Sequence, residues 1–411
     1  MYLCIDMKSF FASVECVLRG LDPMNVALAV VDDRRGDGAL VMAATPKLKS
    51  YGVKSRCRLF EIPKDISFIR AKPRMKYYML YAKKIHQIFL RYVSSDDCLV
   101  YSIDESFLKI DSYIVYYGIT VKALAFRILE DIKNELGLYS TCGAGTNMYL
   151  SKIALDIMAK RDCFYFLDEK SFKNELLDHK PITDFWQIAS GIGSHLERIN
   201  IHTMRDILNA NKNLLIKEFG PVLANELVLH ANGGEDVNLS DVKEYTPECK
   251  SLSRSQVLFV DYKKEEAILP LLEMTYLLCI KMCDENIDAR GLSFYVGYSK
   301  DISLATSKQI TFDFRLRDYL LISKLLKEAY FSLVLDLPIR NIGISFFDIR
   351  KIENRQLNLF YMEDEKHIEL SKMISNIHQR FGKNAILPGI SLCEKSTMKY
   401  RNKCIGGHSG E

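Results

Sequence analysis

Nowhere in the 411 residues is there a run approaching the roughly 18 consecutive apolar side chains that a membrane-crossing helix needs. Met1 to Ile5 lead straight into an acidic position with no secretory-leader layout, so the chain is expected to stay where it is made. The eleven cysteines, from Cys4 to Cys404, are odd in number and form neither a CxxC pair nor a Cys/His cluster. That pattern argues against a disulfide frame or a zinc site and for reduced thiols in a cytoplasmic, bacterial compartment. The last stretch, from Arg350, holds no repeat or low-complexity tract. A net charge of only +4 decides nothing about partners.

What is present is 48% apolar content, enough at this length for two to four domains with cores of ordinary size. The charge is unevenly spread. Between Lys47 and Arg91 thirteen lysines and arginines face two acids, Glu61 and Asp65, a local +11 that leaves the remainder near −7. Tyr51, Phe60, Phe68, Tyr77 and Tyr78 are interleaved with these cations. Clustered positive charge with aromatic rings suits phosphate backbones and stacked bases, because neutralised phosphates release counterions. A solvated lysine-rich face is the plainer alternative.

Met1 to Asp6 read as a short buried strand ending on a carboxylate, and Ser9 onward as a helix closed by Gly20. Leu99 to Asp111 are apolar on both faces but interrupted by Asp104 and Glu105, which predicts a hairpin. An amphipathic helix over Val121 to Leu136, a strand over Ser140 to Ala144 and a helix over Met148 to Lys160 follow. Ser171 to Ala231 read as helical, broken at Gly191-Ile-Gly193, Gly220-Pro221 and Gly233-Gly234. Asn232 to Cys249 read as a linker, Ser251 to Ile349 as a second α/β module, and the charged stretch from Arg350 as a tail.

Asp6 at a strand end and the Asp104-Glu105 pair in a hairpin carry the chemistry. Phosphoryl transfer needs charge neutralised on a triphosphate and an attacking oxygen held in line. Two divalent ions about 4 Å apart do both when carboxylates from separate strands bridge them. Hard oxygen ligands of this kind suit Mg²⁺. An adjacent acidic pair is also a common turn, so these residues alone leave both readings open.

Asp6-Met-Lys-Ser-Phe-Phe-Ala-Ser-Val-Glu15 together with Ser102-Ile-Asp-Glu-Ser-Phe107 resembles the paired active-site signatures of Y-family, translesion DNA polymerases, in the family's order and separation. The resemblance continues through Tyr51-Gly-Val53, Ser151-Lys-Ile-Ala-Leu-Asp-Ile-Met-Ala-Lys160, Gly191-Ile-Gly193 and Ser251-Leu-Ser-Arg-Ser255. Within the family the chain is similar to the UmuC-like bacterial branch, on the Lys-Ile-Ala-Leu-Asp stretch and the Asn402-Lys-Cys-Ile-Gly-Gly-His408 ending.

The resemblance implies an α+β right-hand polymerase: palm at 1–20 and 75–165, fingers at 21–74, and a helical thumb with a helix-hairpin-helix at 166–235. A linker at 236–250, a little finger at 251–349 and a C-terminal tail at 350–411 follow. It implies template-directed addition of deoxynucleotides to a primer 3′ end, of low fidelity, in DNA repair and the SOS response to DNA damage. Two Mg²⁺ ions, or Mn²⁺ in their place, are expected on Asp6, Asp104, Glu105 and the Met7 carbonyl. Phe11 matches the steric gate that collides with a ribose 2′-hydroxyl. Lys49 and Lys160 match residues that reach the triphosphate. Pro46 stands where many members have tyrosine, which removes one hydrogen bond, and Lys49 replaces a common arginine with a point charge.

The same resemblance assigns Gly191 and Gly193 to the hairpin that binds a DNA phosphate through backbone amides. It sets Ser253, Arg254 and Ser255 along the duplex backbone. Gln356-Leu-Asn-Leu-Phe360 resembles the sliding-clamp docking peptide, with Gln356, Leu357, Leu359 and Phe360 as its anchors. Implied partners are primer-template DNA, deoxynucleoside triphosphates, a sliding clamp and a UmuD-like accessory subunit, with no membrane. Two alternatives stay open: a DNA- and clamp-binding regulator without chemistry, and a nucleotidyl cyclase, whose palm-like sheet also carries two metal-binding acids.

Overall fold

The computed structural model describes residues 1–54, 56–247, 250–299, 302, 304–353 and 365–410, apart from the side chains of residues 33–35 and 161. They form two compact units, Met1–Thr246 and Pro247–Gly410.

In the first unit β1 (Tyr2–Met7) turns at once into α1 (Phe10–Val17), through Ser9 in the left-handed region at φ 52°. A small sheet follows, with β2 (Leu28–Val31), β3 (Val41–Ala44) and, after α2 (Pro46–Ser50), β4 (Ile69–Ala71) in the order β3-β2-β4. It closes over its own core of Ala29, Val31, Val41, Leu48 and Leu59. Next, α3 (Met75–Phe89) returns the chain to β5 (Cys98–Val100) and β6 (Glu105–Lys109), the antiparallel arms of the expected hairpin.

Beyond α4 (Asp111–Tyr117), α5 (Val121–Leu136) has the bounds its periodicity predicts. Thr120 Oγ1 accepts from the Ala123 amide at 3.2 Å, and Gly137 ends the helix at φ 66°, where a side chain would be strained. After β7 (Ser140–Gly145), the single helix expected to Lys160 is instead α6 (Met148–Ile153), a π-helical turn at Ala154–Met158, and α7 (Ala159–Asp162). With β8 (Phe164–Leu167) the main sheet has the order β5-β6-β1-β7-β8, and β1 runs antiparallel between β6 and β7.

Four helices, α8 (Glu169–Glu175), α9 (Ser190–Arg198), α10 (Met204–Asn209) and α11 (Lys212–Ala231), enclose Phe172, Phe185, Leu196 and Leu227. The expected break in α11 falls at Gly220, φ 78°, followed by Pro221. The stretch read as a linker contains α12 (Leu239–Glu244). A capping box between Asn238 and Asp241 starts this helix, and its Leu239 enters the apolar cluster of Tyr2, Cys4 and Phe107.

The second unit is an antiparallel sheet of β9 (Ser251–Tyr262), β10 (Ile287–Tyr298), β11 (Ala305–Leu316) and β12 (Ile339–Lys351), ordered β11-β10-β12-β9. Buried Leu292, Phe294 and Phe346 meet Leu271 and Met274 of α13 (Lys264–Asp284) and Leu326 of α14 (Tyr319–Leu333). The segment read as a tail packs onto this unit: α15 (Glu365–Phe381) lies on α13, followed by α16 (Met398–Arg401) and the ribbon of β13 (Cys404–Ile405) and β14 (His408–Ser409). Glu273 of α13 is the reason. Fully buried, it accepts from the Thr397 amide at 3.1 Å and Arg401 Nη2 at 3.4 Å, and a buried carboxylate without such donors is costly. Among the described residues no single helix is long and apolar enough to cross a membrane.

Candidate active site

Asp6 and Glu105 stand directly opposite each other across the β1–β6 pair, and the Met7 amide donates to the Asp104 carbonyl at 3.0 Å. The pleat puts both side chains on one face. Ser102 Oγ donates to Asp104 Oδ1 at 2.7 Å and steadies that carboxylate. Burial, then the charges of Asp104 and Glu105, push the Asp6 carboxyl up to about 7. A cluster that retains a proton near neutrality is short of positive charge. Its donors are hard carboxylate oxygens, so charge and chemistry both fit divalent cations of the Mg²⁺ kind. In this structure Glu105 Oε1 accepts from Lys152 Nζ at 2.8 Å and from Cys4 Sγ at 3.1 Å. Among the described residues no three His, Cys, Asp or Glu side chains are gathered around one cation position.

Phe11, half-buried on α1, stacks on Tyr78 of α3. Tyr78 Oη donates to the buried Glu15 carboxylate at 2.9 Å, and Arg74 grips the same carboxylate with Nε and Nη2 at 3.0 and 2.7 Å. Lys49, at the end of α2, donates to Ser9 Oγ at 2.9 Å. Burial lowers its pKa and the charge of Asp6 raises it, so Lys49 lies within electrostatic reach of the acidic cluster. Pro46 occupies the first turn of α2, where its fixed φ favours helix initiation. Lys160 is exposed on α7, past the π-helical turn.

Gly191 and Gly193 lie in the first turn of α9 rather than in a separate hairpin loop. A Cβ at Gly193 would stand 2.7 Å from Thr183 Cγ2, whereas Gly191 opens to solvent. In the second unit Ser253, Ser255, Ser293, Ser307, Gln309 and Ser345 line an open groove of about 480 Å³ on the sheet. Arg254 also borders this groove, but its side chain does not share that face. Strand alternation turns it away from Ser253 and Ser255, half-buried and close enough to Arg401 for the two charges to repel. Gln356, Leu357, Leu359 and Phe360 lie outside the described residues.

Two features escaped the sequence reading. Lys152 contacts Glu105, and its one visible signal is a lysine four residues before Asp156 in an otherwise apolar helix. Glu15 likewise stands alone among apolar residues of α1, a position where a charge requires a partner.

A main sheet carrying clustered acids at the end of its central strand, a helical bundle and a separate four-stranded unit together define a polymerase of the palm type. The impB/mucB/samB family matches residues 5–156, and its C-terminal domain matches residues 249–359. The protein named "Putative UV-damage repair protein UvrX" of Bacillus subtilis (strain 168) is 32% identical over 99% of this chain and 97% of its own. DNA polymerase IV 2 of the same organism is 28% identical over 98% and 97%. The solved Y-family DNA polymerase chimera Dbh-Dpo4(243-245)-Dbh superposes with a TM-score of 0.65 at 21% identity, covering 85% of this chain and 99% of that one. The chain belongs to the impB/mucB/samB family of Y-family DNA polymerases. It is a DNA-directed DNA polymerase of translesion synthesis and DNA repair, which extends a primer and depends on divalent metal.

Proposed function

We propose that Asp6, Asp104 and Glu105, with the Met7 carbonyl, hold two Mg²⁺ ions, replaceable by Mn²⁺. The placement of Asp6 opposite Glu105, with the Met7 amide bonded to the Asp104 carbonyl, carries this reading, and burial followed by the charges of Asp104 and Glu105 raises the Asp6 pKa in its support. Ions held by these residues would supply charge neutralisation on the triphosphate and activation of the primer 3′-hydroxyl. Phe11 excludes a 2′-hydroxyl, and the Tyr78 ring behind it supports that role. Lys49 and Lys160 neutralise phosphate oxygens, Lys49 with the support of its nearness to Asp6. Primer extension with Asp104→Ala and Glu105→Ala tests the assignment: neither variant should elongate a primer.

The first turn of α9 at Gly191 faces a DNA phosphate, while the Gly193 amide is already donated to the Ala189 carbonyl at 2.9 Å, and Ser253 and Ser255 track the backbone along the groove on β9. Palm, fingers, thumb and little finger occupy 1–20 with 75–165, 21–74, 166–235 and 251–349. Gln356, Leu357, Leu359 and Phe360 dock a sliding clamp, and a UmuD-like subunit assists during the SOS response. None of the ten cysteines among the described residues is in a disulfide, which supports a reducing cytoplasm.

A further inference from the structure

We infer that Lys152 is a positioning residue for Glu105: it holds one carboxylate oxygen so that the other is presented to the reaction centre. This rests on the carboxylate reading above. Lys152 is almost fully buried, and an ammonium in such a place must be paired. Its partners are both acids, Glu105 Oε1 at 2.8 Å and Asp156 Oδ1 at 3.1 Å, one helical step further on. Cys4 Sγ adds a second donor to the same Oε1 at 3.1 Å. Two donors on Oε1 fix the carboxylate's orientation and leave Oε2 as the oxygen turned to the reaction centre. A lysine suits this task, because a compact ammonium engages a single oxygen where a guanidinium would fork across both.

The fold goes to some length to bring Lys152 there. Gly143 of β7 is the register partner of Cys4 and shares its face of the sheet. A Cβ at Gly143 would lie 2.2 Å from both the Leu155 amide nitrogen and the Ser151 carbonyl oxygen. At Gly145 it would lie 2.4 Å from the Ser151 amide nitrogen. Both glycines let the backbone of α6 and its π-helical turn rest directly on β7, next to the strand of Asp6 and two strands from that of Glu105. Such turns recur where a helix re-aims side chains at a functional site. Without Lys152, the charges of Asp6 and Asp104 would repel a carboxylate left free to rotate.

The test uses the full chain on a dideoxy-terminated primer-template for Mn²⁺ binding, read by electron paramagnetic resonance, and on an extendable primer for single-turnover rates. Lys152→Met should lower the rate at saturating nucleotide by about 100-fold, the scale expected for a misplaced reacting group. Mn²⁺ binding should not weaken, because a competing cation has been removed, and extra metal should not restore the rate. Lys152→Gln keeps an N–H donor and should lose only about tenfold; it carries the test where the Met variant does not fold. Parental rates in both variants overturn the inference, as does recovery with excess Mn²⁺ or loss of Mn²⁺ binding in step with the rate. Glu105→Ala run in parallel separates the failures. If it is inactive while Lys152→Met is parental, only the inference falls; if it extends primers normally, the carboxylate reading falls with it.

Discussion

The ring of Phe11 lies on the ring of Tyr78 with centroids 4.5 Å apart and 17° between planes, so the residue beneath the expected sugar position has a fixed wall behind it. Tyr78 is fully buried, and its hydroxyl is held by Glu15. Phe11→Ala should therefore admit ribonucleotides while keeping deoxynucleotide incorporation, lowering sugar discrimination by at least about tenfold, since the rejection is steric. Competing ribo- and deoxynucleotide incorporation measures it. An unchanged ratio would make Phe11 an ordinary core aromatic.

Asp104→Ala and Glu105→Ala should abolish nucleotide incorporation and leave primer-template affinity nearly intact, because on the proposed reading these acids hold the cations while basic surfaces elsewhere hold DNA. Gel-based extension and fluorescence anisotropy read the two properties separately. Loss of DNA binding in step with activity would point to a folding defect.

Asp6 makes stability depend on pH. Its carboxyl, ordinarily near 3.8, is raised to about 7, so between those values the folded chain keeps a proton that the unfolded chain has lost. Without metal this group favours unfolding increasingly as pH climbs through that window, to the order of a few kcal/mol above it. A bound divalent cation takes the proton's place. Mg²⁺ should consequently raise the melting temperature more at pH 8 than at pH 6, and Asp6→Asn should flatten the difference. Equal Mg²⁺ shifts at both pH values in the parent would refute the assignment.

DNA affinity should fall steeply with salt and be nearly blind to sequence, because the proposed contacts are lysines, arginines and backbone amides reaching phosphates. Gly193→Val adds bulk where even a Cβ would meet Thr183 at 2.7 Å, displacing the start of α9. Its loss of affinity should be similar on unrelated duplexes. A loss confined to one sequence would indicate base readout.

Replacing Leu359 and Phe360 together with alanine should leave distributive extension unaltered and remove the stimulation given by added sliding clamp, since only recruitment is touched. A double variant that still responds to the clamp would place the docking site elsewhere.

Local chemistry alone made much of this molecule legible. The strand ending at Asp6, the hairpin around Asp104 and Glu105, and the helix over Val121–Leu136 follow from apolar periodicity and end signals within a few residues. Those are interactions that short stretches of chain specify. Only the tertiary structure decided that Asp6 faces Glu105, that Lys152 reaches across from α6, and that Arg254 points away from Ser253 and Ser255. It also decided that the charged C-terminal stretch docks through Glu273 of α13. Each of those outcomes depends on strand register, on a close approach permitted by Gly143, or on a buried charge finding donors more than a hundred residues away. Such terms appear only when distant segments meet, which no window along the sequence contains.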